Sequence, residues 1–182
     1  MNAAQKNCIA CIVMIVMIAA GTLIGSHTSL MGMRREAEAI FTVGARGDGI
    51  GIQSDLRERD GVAYNMVVVA RRYLPDDYAL IQNVQSARSD LDAAASVRDK
   101  SRANRALDTA VKDLYDVLNT IDLSEQDARY PQRLYTDFRS RGDTISHDPY
   151  NRAAAAFNDT LSGFPAGLLG GLTGVRPLEL FE

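Results

Sequence analysis

Tryptophan is absent from this 182-residue chain, and cysteine and histidine occur only twice each. Two cysteines cannot hold a disulfide-rich scaffold together. His27 and His147 have no second histidine at i+3 or i+4, so a metal site has little support. Cationic excess is missing too: 20 Lys+Arg stand against 23 Asp+Glu, a net charge of −3. A nucleic-acid partner is therefore not expected, because neutralising phosphates needs a basic face. With 46% hydrophobic and 24% charged residues, the composition is that of a folded chain and too apolar for a disordered one.

What is present divides unevenly. Residues 1–33 carry a single charged side chain, Lys6. Cys8 to Gly25 reads CIACIVMIVMIAAGTLIG, eighteen residues without a charge. As a helix it spans about 27 Å, close to the hydrocarbon thickness of a bilayer. The run has no polar stripe, which a globular surface helix would show. We read residues 1–7 as a flank and 8–25 as a transmembrane anchor in contact with the lipid bilayer. The alternative is a cleaved signal peptide, with Ala19, Ala20 and Gly21 as a weak site; the apolar run continuing through Leu23 and Ile24 argues against it. Lys6 on one flank nearly balances Arg34 and Arg35 on the other. The short N-terminal flank favours a cytoplasmic N-terminus, with the rest of the chain outside. Cys8 and Cys11 are expected to be small apolar filler.

Residues 26–51 read as a juxtamembrane helix, Arg34 to Val43, followed by a joint. The joint, GARGDGIG at 44–51, holds Gly44, Gly47, Gly49 and Gly51 and is expected to be flexible. Its spacing suits neither nucleotide-binding fingerprint. From Ile52 helical periodicity is plain, through Leu56, Ala63, Met66, Val67, Ala70, Tyr73 and Leu74. This helix is expected to stop at Pro75, with Asp76 or Asp77 capping the next. That next helix is expected to be long: Leu80, Val84, Ala87, Leu91 and Ala94 form one stripe, and Leu107, Ala110, Leu114, Val117 and Ile121 another. Between them lies SVRDKSRANR (96–105), polar all round, either solvated helix surface or a loop. A further helix starts near Pro131, carries Leu134, Phe138 and Ile145, and restarts at Asp148-Pro149. Tyr150, Ala153, Ala154, Phe157, Leu161 and Phe164 continue the apolar face to Phe164-Pro165. The tail, 166–182, is Gly-rich and apolar and is expected to pack back. No segment alternates as a strand. The fold class is all-α: a transmembrane helix, then an antiparallel bundle of three to four long helices over 52–165.

An ordered set of short motifs runs along residues 52–182. It comprises Leu56, Arg59, Asn65-Met66 and Tyr73 in the first bundle helix. Tyr130-Pro131, Leu134, Phe138, Tyr150-Asn151, Phe157-Asn158, Phe164-Pro165, Pro177 and Phe181-Glu182 follow in the C-terminal third. In order and spacing the set resembles the LemA family. The resemblance implies a membrane-anchored helical protein of the bacterial envelope and implies no activity. The chain departs from the family's pattern in lacking its tryptophan, in Tyr64 where a proline precedes Asn65, and in Pro149 before Tyr150.

Asn151 and Asn158 lie seven apart, two turns on one helix face, as do Tyr150 and Phe157. We expect the amides to fix helix register by hydrogen bonding, in preference to holding a ligand. Asp143, His147 and Asp148 cluster with Ser140, Thr144 and Ser146, but a catalytic triad is defined by geometry, and bundles seldom offer the turn that exposes a nucleophile. Arg-Gly-Asp occurs at 46–48 and 141–143, as expected by chance. The expected function is non-enzymatic and without a cofactor: a tethered interaction or scaffolding module for envelope proteins, with self-association possible. An extracytoplasmic ligand-sensing bundle is the alternative. Removal of the residues ahead of Met33 is expected to leave a soluble helical protein by circular dichroism; a strand-rich product would contradict the architecture.

Overall fold

The computed structural model describes residues 3–182, the side chains of Ala3, Ala4, Lys6 and Cys8 excepted. The first two residues of the expected N-terminal flank, and the Cys8 thiol, thus lie outside the described residues. The elements are helices α1 (Ala3–Val43), α2 (Ile52–Ala70), α3 (Ala79–Ala93), α4 (Val97–Leu118), α5 (Tyr130–Ser146), α6 (Tyr150–Ser162) and α7 (Ala166–Thr173). No strand occurs among the described residues. The chain forms two compact units, one of residues 1–38 with 152–178, the other of 39–151 with 179–182.

In the first unit α1 is continuous where the sequence reading separated an anchor from a juxtamembrane helix. Its residues from Ile9 to Ile24 are almost all exposed, Ile24 to 68%, so the helix is long and apolar enough to cross a membrane. Cys11 is free and exposed. Further along, Leu30 and Ala37 are buried. The Arg34 guanidinium donates to the Arg176 carbonyl (2.8 Å) and pairs with Glu38. The expected apolar tail contains a helix of its own, α7, which ends at Gly174 in the left-handed conformation (φ 74°).

The second unit is a four-helix bundle. Helix α2 packs on α5 and α3 on α4, with α2 also touching α3 and α4. Its core is Ile52, Leu56, Ala63, Met66 and Val67 of α2, Ile81 and Val84 of α3, Leu107, Val111, Leu114 and Leu118 of α4, and Phe138 of α5. Each of these side chains other than Ala63 contributes about 1.5–3 kcal/mol on leaving water. The glycine segment entering α2 forms a turn closed by backbone hydrogen bonds. The Gly44 amide closes on the Ile40 carbonyl (3.0 Å) and the Gly49 amide on Val43 (2.8 Å). A Cβ at Gly51 would lie 2.6 Å from the Ile40 carbonyl oxygen, so glycine permits the close return of the chain.

Three boundaries differ from the sequence reading. Helix α2 stops at Ala70 and finishes in tight turns, Tyr73 to Ala70 and Arg72 to Val69, because the residue before Pro75 disfavours the helical region. Neither Asp76 nor Asp77 caps α3; Tyr78 occupies the cap position, and the Asp76 carbonyl instead accepts from Gln82 (2.8 Å). The long helix is two helices. Ala94 is extended, and Ser96 caps α4 by accepting from the Asp99 amide (3.0 Å). The stretch read as polar surface or loop therefore lies mostly in α4, and Ser101, Ala103 and Asn104 within it are buried. The stripes shift by one residue in places: Ile81 is buried where Leu80 was expected, and Leu118 where Val117 was. At the α5–α6 junction Asp148 accepts from the Tyr150 amide (2.8 Å), and the helix restarts there as expected.

The turn after α2 is tied to the segment before α5 through a buried carboxylate. Asp127 accepts from the Tyr73 hydroxyl (2.7 Å) and from Arg72 (2.7 Å). The Tyr73 hydroxyl, with smaller help from Arg72 and Ser124, holds the Asp127 carboxyl below its ordinary value of 3.8, while burial pushes the other way. The ionised form is thus favoured by folding. The stability it contributes is present above the ordinary value and is lost as pH falls through the lower folded value. Tyr73→Phe is expected to raise the Asp127 pKa towards 3.8 and to move acid unfolding to higher pH, read by carboxyl-carbon NMR titration and circular dichroism.

Candidate functional site

The apolar stripe of α2 has a gap. Positions 52, 56, 63, 66 and 70 are apolar and buried, and the missing helical step is Arg59, 1% exposed. Its guanidinium donates to the Asn104 side-chain oxygen of α4 (2.6 Å) and pairs with Asp108 one turn later. On the other side it stacks over the Phe138 ring of α5, 4.0 Å from the centroid. Four residues on, a Cβ at Gly142 would lie 3.6 Å from the guanidinium carbon, so α5 offers the arginine a ring and then bare backbone. Arg141, beside that glycine, reaches the buried Asp55 of α2 (3.3 Å). The arginine and glycine of the second Arg-Gly-Asp thus both serve contacts with α2, although Arg141 and Asp143 are exposed. Asp55 also faces Asp148, whose carboxyl is pushed above the ordinary range, chiefly by burial and further by that like charge.

Arg59 forms the floor of a groove of about 460 Å³. Asn104, Arg105 and Asp108 line it from α4, Arg139 and Asp143 from α5, and Glu182 from the C-terminal segment. Arginines and carboxylates thus share its lining. Arg105 donates to the Glu182 backbone carbonyl, and Glu179 accepts from the Arg98 amide (3.0 Å).

The C-terminal segment is held within the second unit by α6's first turn. The Asn151 amide donates to the Phe181 carbonyl (2.6 Å) and its oxygen accepts from the Phe181 amide (2.8 Å). The Tyr150 hydroxyl donates to the Glu179 carbonyl (2.7 Å). Phe41 packs edge-on against Tyr150 (5.1 Å) and near Phe181 (6.1 Å). Within the first unit the same device recurs: Asn158 donates to the Leu178 carbonyl (2.9 Å) and accepts from its amide (2.7 Å).

The chain matches the sequence model of a family described as the LemA family over residues 50–182. The chain belongs to the LemA family. A comparison with curated proteins finds none that matches. Of the residues that carried the resemblance, Leu56, Arg59, Phe138, Tyr150, Phe157 and Phe181 are buried. Pro131 is buried in the first turn of α5, where no amide hydrogen is required. Tyr73 serves Asp127, and Asn151 and Asn158 bracket the C-terminal segment. Asn65 and Tyr130 are exposed, and so are Phe164 and Pro165 ahead of α7. The asparagines thus bond an extended chain, where helix–helix bonding was expected.

Sequence reasoning did not single out Asp55, Asn104, Asp108, Asp127 or Gly142. Asn104 had a legible signal: it stands three residues before Leu107, in the stripe continued by Val111, Leu114 and Leu118. The salt bridge of Arg88 with Asp60 (2.8 Å), beside the exposed Tyr64 ring, leaves no such pattern. Among the described residues no group of His, Cys, Asp or Glu is placed to hold a metal ion.

Asp108→Ala removes the anion from a buried guanidinium and is expected to destabilise the protein by about 1–3 kcal/mol, reduced by the partial exposure of Asp108. Arg59→Met combined with Asp108→Ala should recover most of that loss in denaturant unfolding. Additive losses would show that the pair is not coupled.

Proposed function

We propose that this chain is a single-pass, membrane-anchored helical protein of the bacterial envelope. On this reading it binds a polypeptide partner in the Arg59 groove and catalyses no reaction. The observation that carries the reading is the groove's lining. Arg59, Arg105 and Arg139 share it with Asp108, Asp143 and Glu182, beside Ile145 and Phe181. A site for a phosphate or a nucleic acid would present cations without so many carboxylates. A drug-sized ligand is usually enclosed by apolar walls. A mixed-sign, open, amide-bearing groove suits the backbone and alternating charges of a peptide segment. The family is not known for an enzymatic activity. The exposed apolar length of α1 supports the tether, with its N-terminal end in the cytoplasm and the bundle outside.

A photo-reactive residue in place of Arg139, in the full chain in its native membranes, is expected to yield a specific protein adduct on pull-down. The same group in place of the exposed Asp77 serves as the reference and should not. Equal adducts at both positions, or none at either, would count against the groove as a binding site. Adducts of the chain with itself would replace the foreign partner by a second copy.

A further inference from the structure

The chain contains a second charge-free stretch, the sixteen residues from Thr160 to Val175 between Asp159 and Arg176. It forms the end of α6, the turn at Phe164-Pro165 and α7, all inside the first unit. Its two sides differ. Towards the unit's interior it presents glycine: a Cβ at Gly170 would meet Leu161 and, at 3.6 Å, Leu30 of α1. Away from it the stretch exposes its largest apolar side chains, Phe164 to 89%, Leu168 to 60% and Leu172 to 68%. They recur every fourth residue. Nothing in the unit covers them, and water is a poor solvent for such a cluster.

The contacts with α1 set its depth. Leu30 lies five residues beyond Gly25, the end of the charge-free run, which is about 8 Å along the helix. The polar layer on each side of the hydrocarbon is about 5–8 Å thick. Gly170 therefore sits at headgroup level when the run from Cys8 to Gly25 spans the bilayer. Arg176 contacts Arg34 and Gly170 contacts Leu30, so going back along the chain leads towards the apolar run. Leu168 and Phe164 continue in that direction.

We infer that Phe164 and Leu168 form an interfacial wedge. They enter the same bilayer leaflet that α1 leaves, so the first unit is seated on the membrane surface by a second apolar contact beside its anchor. This rests on the reading of α1 as a membrane-spanning helix. Apolar side chains left in water gain free energy by entering such a boundary, about 25 cal/mol per Å² removed from water.

The absence of tryptophan gives a silent background for the test. Phe164→Trp, Leu168→Trp and Val16→Trp are made singly in the full chain and reconstituted in phosphatidylcholine–phosphatidylglycerol vesicles. Brominated acyl chains act as depth-resolved quenchers. Val16→Trp should be quenched most by bromine near the methyl end. The other two should show blue-shifted emission, quenched most by bromine near the headgroup end. An unquenched Val16→Trp defeats the spanning helix itself. A quenched Val16→Trp with red-shifted, iodide-accessible Phe164→Trp and Leu168→Trp overturns the wedge and leaves the anchor standing. Blue-shifted emission indifferent to bromine means protein covers the patch, and the wedge is again overturned. Phe164 and Leu168 are both exposed, so helicity by circular dichroism should match the parent in both variants.

Discussion

A buried guanidinium organises the bundle. An arginine taken out of water without partners costs several kcal/mol, so the elements around Arg59 are not free to choose their register. Helix α4 must place Asn104 and Asp108 one turn apart against it, and α5 must place Phe138 and then a bare glycine. Apolar packing alone would tolerate sliding of one helix by a turn; a directional, charged contact does not. The same arginine is the floor of the groove, so the residue that aligns the helices also lies beneath the candidate binding surface.

The remaining charges of the second unit follow a related pattern. Asp55 is met by Arg141, Asp60 by Arg88, and Asp127 by Arg72 and Tyr73. Each pair joins elements distant in sequence.

The period of 3.6 residues was enough to place most helices, because burial of Leu56, Met66, Leu107 and Leu114 is what forms them. It failed where polar residues occupy apolar positions. Arg59 broke the α2 stripe, and Asn104 lay hidden in a segment that looked like solvated surface. A charged side chain in a stripe carries no local sign of whether a partner awaits it, since Asp108 lies 49 residues further on. The division of α3 from α4 was illegible for another reason: Ala93, Ala94 and Ala95 are good helix formers, and a single capping serine overrides them. The asparagines stood out by their spacing, but amide chemistry alone does not say whether the partner is a side chain on a helix or an extended backbone.

Both asparagine brackets read only the main chain of residues 178 and 181. The hold is therefore indifferent to which side chains the segment carries, and exacting about the asparagine itself. Glutamine carries the same amide at a different reach. Aspartate matches the shape but turns the donor into an acceptor, so a change of one NH₂ to an oxygen converts an attraction to the Phe181 or Leu178 carbonyl into a repulsion. Chemical ageing of either amide would thus weaken the hold on the C-terminal segment while leaving its apolar packing in place.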